Sequence, residues 1–245
     1  MSAAAEVVRP NVEGRVSAAA EAARPREARR ARRCATERRP TTRPYKSRRP
    51  NVEGRVSAPR ARRLVIDADG LASTAAWIAS PNRDERPPGT TISLIVVHGI
   101  ALPPGEFGGD SVARLFTNTL DPTAHPYFVA IAQTRVSAHF LIRRDGGLLQ
   151  FVACAHRAWH AGVSSWHGRA HCNDFSIGIE LEGADDVRYT AAQYRMLARV
   201  IRALRRRYPI EAIVGHSDIA PGRKTDPGPA FNWSRLHRSV APRGG

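Results

Sequence analysis

The chain has 245 residues and a formal net charge of +16, and most of that charge lies at one end. Residues 1–63 hold 18 Lys/Arg against 6 Asp/Glu, so 64–245 is only slightly basic and is long enough for one compact core. The three cysteines show no CxxC spacing and no run approaches the roughly 18 apolar residues of a membrane span. A disulfide framework and a helical membrane protein are both excluded.

Residues 1–63 are rich in Ala, Arg and Pro and poor in large apolar side chains. Arg9-Pro10-Asn11-Val12-Glu13-Gly14-Arg15-Val16-Ser17-Ala18 recurs unchanged as residues 49–58. Such a segment cannot bury enough surface to offset its ordering entropy, and a disordered basic tail is expected. It reads first as a solvated tail without a partner, second as residues that are not translated in the cell, and third as an arm for nucleic acid, which is not the expected partner. Its arginines have no apolar stretch behind them, so no export signal is expected. Reduced thiols and a cytoplasmic location follow from the same reading.

Beyond the tail, Ala72–Ala79 reads as a short helix stopped by Ser80-Pro81. Thr91–Val97 is a β-branched and apolar run that suits a strand buried on both faces, and it ends on His98. A lone histidine there is either a satisfied core residue or a ligand presented at the mouth of a sheet. Asp110 or Ser111 can cap a short helix through Phe116, and a loop carries His125-Pro126-Tyr127-Phe128. Ser137–Arg144 and Leu148–Val152 flank Asp145-Gly146-Gly147, a hairpin signal. His139 on that strand reads as a buried structural histidine.

Trp159-His160-Ala161-Gly162 and Ser164-Ser165-Trp166 read as an exposed aromatic loop, either a groove wall or packing material. Phe175–Glu182 alternates as a strand with Glu180 and Glu182 on the face of Ser176 and Gly178. Either this is an edge strand with solvated glutamates, or a glutamate points into a cleft. Thr190–Tyr208 is an amphipathic helix opened by a Thr190/Gln193 capping box, its arginines read as solvated. Ala212-Ile213-Val214 is a strand, and the Pro- and Gly-rich stretch after it is a loop of fixed shape. This order predicts an α/β fold with a central mixed β-sheet and helices packed on it.

His98, His216 and Asp226 together are the donor set of a three-ligand zinc site with an open fourth position. Hydrolysis of an amide there also needs a proton shuttle and a cation for the oxyanion, and Glu180 and Lys224 are of those types. His216-x9-Asp226 is not a standard ligand spacing, so spacing alone leaves the site open.

Several stretches carry a family resemblance. They are Val96-Val97-His98, Leu102–Gly109 (LPPGEFGG), His125–Phe128, Arg135–His139, Cys172–Gly183 and Lys224–Pro229. The chain resembles, from about Ile66 to Trp233, the zinc-dependent N-acetylmuramoyl-L-alanine amidases of type 2. Within them it is similar to the cytoplasmic 1,6-anhydro-N-acetylmuramoyl-L-alanine amidases of cell-wall recycling. The resemblance implies one Zn2+ on His98, His216 and Asp226, with Glu180 as general base and Lys224 on the oxyanion. It further implies that Tyr127, Arg135, Trp159 and Arg223 line a groove for an anhydromuropeptide, Arg135 being suited to a carboxylate. Two departures bear on substrate affinity: Gly99 stands where Asn is common, and His171 where Arg is common. The implied division is a tail over 1–63 and an amidase domain over 64–245. The competing readings are a phage-type amidase acting on intact wall and a module that binds muropeptide without cutting it.

Overall fold

The apolar run before His98 forms the strand on which the fold is built. The computed structural model describes residues 63–241, so the tail expected over 1–63 lies outside the described residues except for Arg63. The first half of the fold contains β1 (Ala76–Trp77), β2 (Arg83–Asp84), β3 (Leu94–Ile100), α1 (Ser111–Phe116), α2 (Pro126–Ile131), β4 (Phe140–Ile142) and β5 (Leu148–Gln150). The second half contains β6 (Arg157–Ala158), β7 (Ser165–Trp166), β8 (Arg169–Ala170), β9 (Ser176–Glu182), α3 (Ala191–Arg207), β10 (Ala212–Gly215), α4 (His216–Ile219) and α5 (Trp233–Val240). Six strands form one sheet in the order β1-β5-β4-β9-β3-β10. Only the β4–β5 hairpin is antiparallel. The expected mixed sheet with packed helices is therefore present. Two small antiparallel ribbons, β2–β6 and β7–β8, lie outside it.

Alternation along the strands separates two faces. Ile95, Val97, Ile177, Ile179 and Leu181 share one core with Tyr194, Leu197, Val200, Ile201 and Leu204 of α3 and Leu236 of α5. Each such fully buried aliphatic side chain contributes on the order of 1.5–3 kcal/mol. The opposite face packs Leu141, Leu149 and Phe151 against Val112, Phe116 and Phe128, and Leu94 and Val96 against Cys172, Phe175 and Ile219. α3 opens as expected, with the Thr190 hydroxyl accepting from Gln193 N and the Gln193 side chain accepting from Thr190 N.

The structure departs from the sequence reading at several places. Ala72–Ala79 is not helical: Ala76 and Trp77 pair in parallel with Leu149 and Gln150. The buried Gln150 side chain accepts from Ala72 N and donates to the Gly70 carbonyl, so the sheet edge captures a segment whose alanines favour helix. His125–Phe128 is no loop but the start of α2, with Pro126 in its first turn and His125 Nδ1 accepting from Tyr127 N. The stretch after β10 opens with one helical turn, held where Gly215 N donates to Asp218 Oδ2 at 2.7 Å. Nor are the α3 arginines all solvated. Arg202 and Arg205 donate to the Ser239 and Val240 carbonyls at the end of α5, and Arg206 donates to the Leu64 carbonyl.

Candidate active site and metal centre

Three elements meet at the C-terminal edge of the sheet. β3 presents His98 on the face opposite α3, and β10 runs parallel beside it with Gly215 opposite Val97. His216 is the next residue along and begins α4. The loop that follows returns to place Asp226, with Ser217 N donating to the Asp226 carbonyl at 3.0 Å. His98 Nδ1 and His216 Nδ1 lie 3.1 and 3.2 Å from Asp226 Oδ2, and 3.1 Å from one another.

Donor atoms of the three side chains all lie within 4.8 Å of one another, so this cluster could hold a metal ion. The donor set fits that role. His216 Nε2 lies 3.2 Å from the Ala161 carbonyl, which can only accept. The His216 proton is therefore on Nε2, and Nδ1 offers a lone pair to the cluster. Burial holds His98 down to about 4, with the neighbouring His216 adding to the effect. Burial pushes the Asp226 carboxyl up, but the close approach of the His216 and His98 rings outweighs it and holds the group well below the usual carboxylate range. A neutral imidazole beside a carboxylate is a divalent-metal ligand set at neutral pH.

Glu180 stands opposite His98 in the β3–β9 register. It is 8% exposed, and its Oε2 has no hydrogen-bond partner. Burial, then the charge of Asp226, pushes its carboxyl well above the ordinary value. The reading of β9 as an edge strand with solvated glutamates is incorrect. β9 lies between β4 and β3, and the buried Glu182 accepts from Gly108 N at 2.6 Å and Arg144 N at 3.1 Å. Lys224 is half-buried on the loop of Asp226, and its charge acts on both Glu180 and His98.

The four groove residues are placed differently. Tyr127 is half-buried on α2 with an unpartnered, buried hydroxyl. Arg135 is exposed, and no hydrogen bond joins either side chain to the cluster among the described residues. Trp159 is half-buried, its backbone N donating to Ser137 Oγ. Arg223 donates to the Ala161 and Val163 carbonyls at 2.8 and 2.6 Å, so its guanidinium braces the loop behind His216. Of the two departures, His171 is exposed. Gly99 faces away from His98: a Cβ there would lie 2.3 Å from the Tyr189 hydroxyl, which donates to the Pro227 carbonyl beside Asp226.

His160 is the residue that sequence reasoning missed. It was expected on an exposed aromatic loop, yet it is 8% exposed, with Nδ1 3.0 Å from His98 Nε2 and Nε2 3.1 Å from Ser176 Oγ. A signal existed. A glycine inside a strand marks close approach, and a Cβ on Gly178 would lie 2.4 Å from the His160 ring. His139 is the buried structural histidine expected, its Nδ1 accepting from Gly178 N.

A cluster of this kind beside a buried carboxylate and a lysine can activate water and stabilise an oxyanion. The N-acetylmuramoyl-L-alanine amidase family model matches residues 88–229, more than half of the chain. The chain belongs to the N-acetylmuramoyl-L-alanine amidase family.

It is 58% identical over 181 residues to AmpD of Citrobacter freundii, a 1,6-anhydro-N-acetylmuramyl-L-alanine amidase, spanning 73% of this chain and 96% of that protein. It is 61% identical over 169 residues to AmpD of Escherichia coli K12, covering 68% and 92%. A crystal structure of a selenomethionine derivative of AmpD matches with a TM-score of 0.71 and 57% identity, over 72% of this chain and 99% of that one. The protein is an AmpD-like amidase, hence a hydrolase, as the resemblance implied. No helix among the described residues is long and apolar enough to cross a membrane.

Proposed function

We propose that this amidase is zinc-dependent and cleaves the amide between the lactyl group of 1,6-anhydro-N-acetylmuramic acid and L-alanine of the stem peptide. Its setting would be cytoplasmic recycling of cell-wall fragments. The observation that carries the reading is the convergence of His98 Nδ1, His216 Nδ1 and Asp226 Oδ2 beside an unpartnered buried carboxylate. The AmpD relatives support the substrate class. Zinc held by the three residues supplies Lewis-acid activation of water and of the scissile carbonyl near neutral pH.

Glu180 accepts the proton of the attacking water and returns it to the departing amine, since an amide nitrogen leaves poorly without one. Its burial keeps the carboxylate basic enough to do so. Lys224 neutralises the oxyanion that develops on the carbonyl oxygen. Arg135, exposed on the surface, meets a carboxylate of the stem peptide, and Tyr127 and Trp159 form apolar walls for sugar and peptide. Arg223 acts indirectly, by holding the Ala161 carbonyl where it fixes His216.

The test is hydrolysis of an anhydromuramoyl tripeptide, followed by mass spectrometry, with metal content measured on the same sample. Wild type should carry about one zinc and release free peptide. Asp226→Ala should lose both metal and activity. Zinc and muropeptide bound without release of peptide would replace this reading with that of a binding module.

A further inference from the structure

We propose that His160 is a positioning residue that dictates which nitrogen of His98 is bare, through a hydrogen-bond chain with only one permitted direction. The inference rests on the reading of His98, His216 and Asp226 as zinc ligands.

The chain is solved from its far end. The Cys172 carbonyl has no proton, so Ser176 Oγ, 2.5 Å away, must donate to it. With its one proton committed, Ser176 Oγ can only accept from His160 Nε2 at 3.1 Å. A neutral His160 protonated at Nε2 has a bare Nδ1, and neither of its nitrogens faces an anion that would hold a second proton. His98 Nε2, 3.0 Å from that Nδ1, must then donate. The His98 proton is used on the side away from the cluster, and its Nδ1 lone pair faces Asp226 and His216.

His216 reaches the same tautomer through the Ala161 carbonyl, so two backbone carbonyls at 161 and 172 determine both imidazoles. One side chain joins these two arms. Asn173 Oδ1 accepts from His160 N at 3.1 Å and from Ala161 N at 2.9 Å, fixing the residue that orients His98 together with the carbonyl that orients His216. Gly178 opens the space that the His160 ring fills.

The experiment uses the full metal-stripped chain. Zinc affinity is measured by competition with a chromophoric chelator for wild type, Asp226→Ala, His160→Leu and His160→Asn. Loss of an outer partner of a metal-bound histidine costs about 10–100-fold in metal affinity, and that weakening is expected for His160→Leu. In His160→Asn the amide oxygen accepts from His98 Nε2–H and recovers most of the loss. Long-range 1H–15N NMR on wild type should show His98 and His160 both protonated at Nε2. A folded His160→Leu with wild-type affinity, or His160 protonated at Nδ1, overturns the inference and leaves the zinc reading standing. If His160→Leu does not fold, the NMR tautomers decide. A wild type whose zinc binding is unaffected by Asp226→Ala removes the zinc reading and this inference with it.

Discussion

The two faces of the central sheet are built from alternate residues of the same strands and are put to opposite uses. Toward α3, β3 and β9 offer Ile95, Val97, Ile177, Ile179 and Leu181, all fully buried among other apolar groups. On the other face the same strands carry His98, Ser176, Glu180 and Glu182, also buried but polar. Burying a polar group is tolerated only when it is paired. Ser176 and Glu182 are paired, whereas Glu180 keeps one oxygen unpaired. The strand residues toward α3 are stable because none of these side chains needs a partner. The other face is reactive because one group still lacks one.

The largest test of that contrast is Glu180→Gln. Activity on an anhydromuramoyl peptide should fall by about 10²–10⁴-fold with zinc content unchanged. If metal is lost as well, the polar face is not divided into ligands and base. The same substitution should stabilise the metal-free chain. Because burial raises the folded-state value of this carboxyl above its ordinary 4.5, the wild type loses stability as pH rises through that folded value. The variant's advantage in urea unfolding should therefore open as pH rises from about 4.5 and vanish below it. An advantage independent of pH would break the argument.

Leu197→Ala on the opposite face should do the reverse. Urea unfolding should show a loss of about 2–5 kcal/mol, while kcat/KM of the folded fraction stays at the wild-type value. The smallest effect belongs where the two faces meet. Tyr189 packs between Gly99 and Gly183, and its hydroxyl reaches the Pro227 carbonyl next to Asp226. Tyr189→Phe should cost about 0.5–1.5 kcal/mol in stability, and the chelator assay should show only a slight weakening of zinc. A larger metal effect than stability effect would put Tyr189 with the polar face.

Legibility in the sequence follows the range of the interactions. The capping box at Thr190 and the Asp145-Gly146-Gly147 turn are local, and both were readable. Ala72–Ala79 failed because its partner is Gln150, far along the chain, and propensity cannot see a sheet edge. Glu182 looked solvated because its alternation matches an exposed edge, and only the distant Gly108 and Arg144 amides reveal it as a buried clamp. The cluster residues were legible through family resemblance rather than spacing, since His98 lies on β3 and His216 directly follows β10, two strands distant in sequence and brought side by side. His160 was hidden for a similar reason. Trp159 drew it into an aromatic loop, and the glycine that makes room for it lies on another element.

The arginines of α3 join the two boundaries of the described fold. Arg206 holds the Leu64 carbonyl, while Arg202 and Arg205 hold Ser239 and Val240. One helix thus acts as a clasp on which the first and last turns both close. A chain trimmed to begin at Ile66 would open that clasp from one side, and one ending before Ser239 would open it from the other. In mechanical terms, fraying at either boundary pulls on the same helix, and through that helix on the sheet that carries His98.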